Sequence, residues 1–270
     1  MSVAGLRSVW IDGIALWAPR LPGWDEAAAI LRGEQEPPAE PARRPSPALL
    51  PPTERRRAPD TVAVSMEVAA RACAVAGVEP AHTASVFAST HGDLAISDYM
   101  CETLAKTPSL TSPTKFHNSV HNAAAGYWTI ATGCYEPYTA VSAFHHTYGQ
   151  GLLEALVQAA TSGAPVLYVA YDIEAKGPMA TVVPSRSMLG AALVVSPTPS
   201  ARAQAALAWE VAASPAPASR ARPASLALAG GNDMAPCLPL YEALATGEGT
   251  VSLSLGTGLL LRLGVSRVEA

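Results

Sequence analysis

The sequence predicts an α/β protein built on a mostly parallel sheet. Two observations carry that reading. Short, nearly continuous apolar runs recur at 84–90, 165–171 and 188–196, and segments with three-to-four apolar spacing lie between them. Strands apolar on both faces and separated by helices belong to a sheet covered on both sides. At 270 residues, 49% hydrophobic and 15% charged, the chain suits a large core in one domain spanning 1–270.

Ser8 to Ala18 (SVWIDGIALWA) is rich in β-branched and aromatic residues and reads as the first strand. Asp25 is then expected to cap a short helix that stops near Gly33. Eight prolines between Glu34 and Pro59 make a surface excursion, because proline removes backbone donors and fixes φ. Asp60 is expected to cap the next helix, whose apolar positions Val62, Met66, Ala69, Ala70, Cys73 and Val75 keep helical spacing up to Gly77.

Ala84 to Thr90 reads as a short buried strand, Leu94 to Lys106 as a helix, and Asn118 to Thr132 as an amphipathic, Ala-rich segment. Pro137 to Ala143 reads as a buried strand, Thr147 to Ser162 as a helix, and Pro165 to Tyr171 and Met188 to Ser196 as further strands. The Pro/Ala/Ser-rich stretch Ser214 to Ala224 reads as a loop. A helix near Pro239 to Ala245 and paired strands within Thr250 to Val265 complete the chain.

Composition narrows the function classes. A net charge of -4 and a pI near 5.9 leave no dense basic face for a phosphate backbone, so no nucleic-acid partner is expected. The opening MSVAGLRSVWIDGIALWAP lacks the features of a signal peptide, and no apolar run is long enough to span a bilayer. A soluble, cytoplasmic protein is expected. Cys73, Cys101, Cys134 and Cys237 are widely spaced without a C-x-x-C pair, and read as small buried hydrophobes.

The turn at Ala143-Phe144-His145 is the most informative feature. A strand that turns abruptly into a helix raises one side chain above the sheet, at the positive end of the helix dipole. Here that side chain is phenylalanine, which can neither attack a carbonyl nor carry a proton, so no catalytic residue is assigned.

Histidines surround this turn in sequence. His117 and His121 have helical i, i+4 spacing within Phe116-His117-Asn118-Ser119-Val120-His121-Asn122, and His145-His146 follow the elbow. A metal site, an acid/base cluster and polar contacts lining a pocket all fit these residues. Without a nearby carboxylate the spacing does not specify a metal, and neither metal nor cofactor is assigned. His91-Gly92-Asp93 follows a strand end, where ligand-facing loops of α/β sheets lie, and fits a turn with a capping aspartate equally well. Gly230-Gly231-Asn232-Asp233 lacks the lysine and spacing of a P-loop and reads as a turn.

Ser112-Pro113, Asn122-Ala-Ala-Ala-Gly126, Glu136-Pro137-Tyr138-Thr-Ala-Val-Ser-Ala143 and Gly163 to Glu174 follow one another in an order and at spacings that resemble the β-ketoacyl synthases of the thiolase-like superfamily. The resemblance covers most of residues 8 to 196. It implies a thiolase-like layered α/β fold, and carried over position by position it sets Phe144 where the family has its nucleophilic cysteine. Leu240 to Gly249 and Leu255-Gly256-Thr257-Gly258-Leu259 are similar to the family's last helix and glycine-rich strand end. The chain has no histidine after His146, so the family's two downstream histidines have no counterpart. The resemblance thus implies a complete N-terminal half at 8–196 and an abbreviated C-terminal part at 197–270.

That combination resembles the short chain-length-factor-like form associated with aryl polyene biosynthesis. It implies a non-catalytic subunit with no independent activity, paired as a heterodimer with an active β-ketoacyl synthase. With an acyl carrier protein, the pair would carry out polyketide or fatty-acid-type chain extension, and this chain would shape the acyl tunnel. Bulky apolar groups limit chain length because overpacking against them is costly. Phe144, Phe116, Met100 and Tyr99 are candidates for such a wall, and His145, His117, Asn118 and His121 for further lining. The arginine runs Arg43-Arg44 and Arg55-Arg56-Arg57 suit docking of an acidic carrier protein. Two rival readings are a free-standing thioester-acting acyltransferase or decarboxylase using His117, His121 or His145, and a carrier-protein scaffold without a tunnel.

Overall fold

Apolar runs that alternate with helices fold into a single eight-stranded sheet in the computed structural model, which describes residues 7–183 and 185–268. In chain order the elements are β1 (Arg7–Trp17), α1 (Trp24–Arg32), α2 (Pro52–Arg57), α3 (Asp60–Ala76), β2 (Ala84–Ala88), α4 (Leu94–Lys106), α5 (Pro113–Asn118) and α6 (Ala123–Thr132). There follow β3 (Tyr138–Val141), α7 (Thr147–Ser162), β4 (Val166–Asp172), β5 (Leu189–Ser196), β6 (Ala205–Ala213), α8 (Pro223–Leu228), α9 (Leu238–Thr246), β7 (Gly249–Gly256) and β8 (Leu259–Ser266). The spatial order is β3-β2-β4-β5-β1-β6-β8-β7.

Strand direction follows from the connections. β2 pairs in parallel with β3 and β4, each reached through helices, while β5 runs antiparallel to both β4 and β1. Strands β1 to β4 therefore share one direction. The C-terminal strands pair antiparallel through β6, β8 and β7, the last two joined by a tight turn.

Both faces are covered. In β4, Val166, Tyr168 and Ala170 enter one core with α7 and α9, while Leu167, Val169 and Tyr171 enter the other with α3 and α6. A β-bulge in β1 leaves Asp12 without a cross-strand partner between Ile11 and Gly13, and thereby changes parity: Val9 and Ile11, then Ile14 and Leu16, face the same core. The buried Asp12 carboxylate accepts from Ser196 Oγ at 2.5 Å. At Gly13 an added Cβ would lie 2.1 Å from the Ala72 carbonyl oxygen, so the absence of a side chain is what lets α3 rest on β1.

Helix α7 touches β2, β4 and also β7, which stand near opposite ends of the strand order. The sheet therefore curls around α7. Gly149 permits the approach, since a Cβ there would sit 2.4 Å from the Ser254 carbonyl oxygen of β7. The C-terminal strand β7 thus covers α7 and closes the larger core.

Several local expectations change. Asp25 and Asp60 lie inside the first turns of α1 and α3, not at the caps, which are Gly23 and Pro59. Asp60 instead pairs with Arg44 at 2.5 Å. The segment 118–132 is divided, because α5 ends at Asn118 and α6 starts at Ala123. Strand β3 is not buried: it forms one edge of the sheet, with Tyr138 and Ala140 exposed. Strand β6 is not among the strands the sequence predicts, since five of its nine residues are alanine, which is depleted in strands, and only Trp209 and Val211 carry an aromatic or β-branched signal. Cys101 is exposed, unlike the other three cysteines. Among the described residues no helix is long and apolar enough to cross a membrane.

Candidate functional site

The carboxyl ends of β2, β3 and β4 converge on the turn before α7, and ligand sites of α/β sheets gather at such ends. The turn is strained at one residue. Phe144 has φ 51, a left-handed conformation that is uncommon for a bulky non-glycine residue. The surrounding bonds hold it there. Thr147 Oγ1 accepts from the Ala143 amide at 3.0 Å and donates to the Phe144 carbonyl at 2.7 Å, tying both sides of the turn to the first residue of α7. Ser142 Oγ donates to the Thr90 carbonyl at 2.8 Å and fixes the strand end to the loop after β2. The Phe144 ring projects outward, 52% exposed.

Two histidines meet this ring from different parts of the chain, and a third, His121, lies behind them. His145 lies against Phe144 with centroids 3.8 Å apart, and His91 stands edge-on to it at 5.9 Å. His121 Nε2 donates to the Ser89 carbonyl at 2.7 Å, which fixes the proton on that nitrogen and places the ring beside Gly92. His91 Nε2 faces Asp233 Oδ2 at 3.6 Å. Desolvation pushes the His91 pKa below its ordinary value against the opposing pull of Asp233, and His145 and His121 push it further down. The imidazole is therefore held neutral.

Beneath the loop lies a buried carboxylate. Asp172, at the end of β4, accepts from Ser89 Oγ at 2.8 Å and from the Thr90 amide at 3.0 Å. Burial raises its pKa to about 7, more than those hydrogen bonds lower it. Asn232 Nδ2 donates to the Asp172 backbone carbonyl at 3.1 Å, which docks the Gly230-Gly231-Asn232-Asp233 turn onto the same strand end. The sequence allows His91 either a ligand-facing loop or a turn, and places Asp233 in a turn. Only the fold brings them together, and no local spacing could have signalled it.

The other candidate residues scatter. His117 is exposed on α5 and packs edge-on to Tyr127, centroids 6.3 Å apart, so its helical spacing to His121 is broken by the end of α5. Phe116 is 63% exposed, whereas Met100 is buried on α4. Tyr99 is half-buried beneath Lys115, whose Nζ lies 5.4 Å from the ring centroid. Asn118 is buried, lines a separate cavity of about 450 Å³ with Arg57 and Lys115, and leaves its Oδ1 without a hydrogen bond. Arg55 donates to the Leu50 carbonyl at 2.9 Å and to the Ala48 carbonyl at 3.3 Å, so it braces its own loop, while Arg56 and Arg57 are exposed.

The arrangement is an elbow with an apolar tip, flanked by His91 and His145 and lacking a nucleophile at its apex. A phenyl ring there can exclude water and limit access, but it cannot form an acyl intermediate.

No curated protein matches the chain in sequence. Solved structures share its fold. A ketosynthase (ApeO) in complex with its chain length factor (ApeC) from Xenorhabdus doucetiae superposes with a TM-score of 0.71 at 20% identity, over 95% of this chain and 99% of that one. A type II polyketide synthase acyl-carrier protein in complex with its ketosynthase (AntDE:AntF), bound to the hexaketide, gives 0.75 at 10% identity, over 98% and 100%. A beta-ketoacyl synthase from Burkholderia phymatum STM815 gives 0.69 at 11% identity, over 97% and 100%. The thiolase-like layering expected from the sequence is thus the fold observed. The elbow and the strands that form it lie within residues 24–248, which match the model of the beta-ketoacyl synthase N-terminal domain, and the chain belongs to the beta-ketoacyl synthase family.

Proposed function

We propose that this chain is a non-catalytic, chain-length-factor type subunit that pairs with an active β-ketoacyl synthase and shapes the tunnel for its growing acyl chain. The observation that carries this reading is Phe144, held at φ 51 and 52% exposed at the apex of the strand-to-helix turn. The turn keeps the backbone strain of a nucleophile elbow while presenting a group with no covalent chemistry. The whole chain, 1–270, acts as one ketosynthase-like unit, with 8–196 as its complete half and 197–270 as the abbreviated part.

Exposed apolar groups support pairing. Ile130 is 79% exposed on α6, Tyr135 fully exposed, and Tyr138 lies on the open edge of β3. An unpaired sheet edge flanked by large apolar side chains is costly to leave in water and suits a partner subunit. Phe144 and Phe116, both exposed, then form part of a wall facing the partner's substrate. Arg56 and Arg57 remain available to an acyl carrier protein, whereas Arg55 does not. The pair would work in the cytoplasm on polyketide, aryl polyene or fatty-acid-type chains.

Co-expression with an active β-ketoacyl synthase tests the proposal. A stable heterodimer is expected, with product length shifting for Phe144→Trp and Phe144→Ala. Separate purification of the two chains, with product length indifferent to Phe144, would refute it. The rival reading, a free-standing thioester enzyme, loses His117 from its proposed cluster. It demands turnover of acyl or malonyl carrier-protein thioesters by this chain alone, abolished in the His121→Ala/His145→Ala variant.

A further inference from the structure

A second cavity, of about 410 Å³, opens on the other side of His145 between α7, β7 and the loop before α8. It lies within this one chain. Its walls are apolar, formed by Ala221, Leu226, Pro236, Pro239 and Leu253 among others. Arg220 is its only charged lining residue, and it is exposed. No carboxylate pairs with Arg220 among the described residues, and no Asp or Glu lines the cavity. Tyr148 also lines it, 2% exposed, with a hydroxyl that finds no hydrogen-bond partner.

The walls are fixed in advance. Ser219 donates its amide to the Ser252 carbonyl at 2.7 Å, and its Oγ accepts from the Ser252 amide at 2.9 Å, so the loop is clamped to β7 from both sides. Ser254 Oγ and His146 Nδ1, 2.8 Å apart, fasten β7 to the turn before α7. Two prolines stiffen the opposite wall. A preformed apolar cavity with a single cation at its rim selects an apolar body with an anionic head, since little ordering is lost on binding. The larger cavity beside Asn118 offers no such preference: Arg57, Lys115 and Lys176 there face Asp60, Asp93 and Glu174.

We propose that this cavity binds a medium-chain free carboxylic acid, with its tail against Leu226, Pro236 and Leu253 and its carboxylate at Arg220. The site goes beyond the pairing reading, because it needs neither the partner nor Phe144.

Fluorescence titration of the purified full-length chain with dansyl-undecanoate, followed by displacement with decanoate or decanol, tests it. Saturable blue-shifted emission is expected, with decanoate displacing the probe at least ten-fold better than decanol. Leu226→Trp, which fills the cavity from a partly exposed position, should weaken the probe at least ten-fold. Arg220→Glu should erase the preference for the acid while leaving decanol unchanged. Phe144→Ala should bind as the wild type does, which separates this site from the proposed tunnel. Unchanged affinity in a folded Leu226→Trp variant, or equal displacement by decanol and decanoate in the wild type, would overturn the assignment, and neither result bears on heterodimer formation.

Discussion

The ring of Phe144 stands edge-on to the imidazole of His91, with centroids 5.9 Å apart and planes inclined at 76°. This contact ties the elbow to the loop after β2, and it offsets part of the strain of a left-handed phenylalanine. Such a conformation costs a non-glycine residue about 1–2 kcal/mol. Phe144→Gly relieves the strain and loses a half-exposed contact, so its stability should stay within about 1 kcal/mol of the wild type. Phe144→Val keeps the strain, adds β-branching and loses the ring, and should fall about 1–2 kcal/mol below the glycine variant. Urea unfolding of the two variants measures the difference; equal midpoints would mean that the turn is not strained.

Gly13 and Gly163 separate two costs of adding a methyl group. At Gly13 the new Cβ would lie 2.1 Å from the Ala72 carbonyl oxygen, a backbone atom that cannot swing aside. Gly13→Ala must therefore push α3 off the sheet, at about 3 kcal/mol or more. At Gly163 nothing lies within 4 Å, but φ is 72, so Gly163→Ala should lose only about 1 kcal/mol. Thermal melting of both variants should rank them in that order.

Elements with a strong local signal were legible in the sequence, and those decided by distant packing were not. Helix α7 and the buried strands β2, β4 and β5 could be read directly, because each is apolar over a continuous run or carries helical spacing. Strand β6 was hidden by alanines that favour no strand on their own, and is held by pairing with β1 and β8. The elbow was visible as a strand-to-helix junction with Phe144 at its tip. The pairing of His91 with Asp233 was not, since each residue sits in a turn whose purpose appears only when β4 brings the two loops together. The histidine spacing misled in the opposite sense: i, i+4 suggested one helical face, yet α5 ends between His117 and His121.

Asp172 should make the fold pH-dependent in a definite direction. Its pKa rises from 3.8 to about 7 on folding, so between those values the folded state binds more protons than the unfolded one. Stability contributed by this group is therefore greatest at low pH and declines as pH rises through the window, by an amount on the order of a few kcal/mol. Asp172→Asn keeps an acceptor for Ser89 and Thr90 but cannot ionise. Its melting temperature should exceed that of the wild type at pH 8, and the advantage should vanish toward pH 4. A constant difference across that range would exclude burial of the charge as the cause.

His91 should act with the opposite sign. Burial depresses its pKa below 6.5, so under acidic conditions the folded state binds fewer protons than the unfolded chain. Its contribution is present above pH 6.5 and is lost as the pH falls toward the folded-state pKa. His91→Gln, which cannot charge, should lose less stability than the wild type between pH 7 and pH 5. Chemical unfolding at the two pH values reads that difference directly, and an identical acid response in both proteins would show that His91 titrates as a free imidazole.

The open edge of β3 supplies the last test, because it separates a surface built for a partner from one that is merely apolar. Ile130 is 79% exposed, so Ile130→Glu removes no core contact and should leave the melting temperature of the isolated chain unchanged. If α6 and β3 face an active ketosynthase, the same substitution buries a carboxylate in an apolar interface. Affinity for the partner should then fall at least ten-fold, about 1.4 kcal/mol. Sedimentation of the co-expressed pair measures this. Leu104→Glu on α4, also exposed at 55%, provides the comparison. Loss of pairing with Ile130→Glu but not with Leu104→Glu would locate the interface on the β3 edge, whereas equal pairing by both variants would remove that edge from the complex.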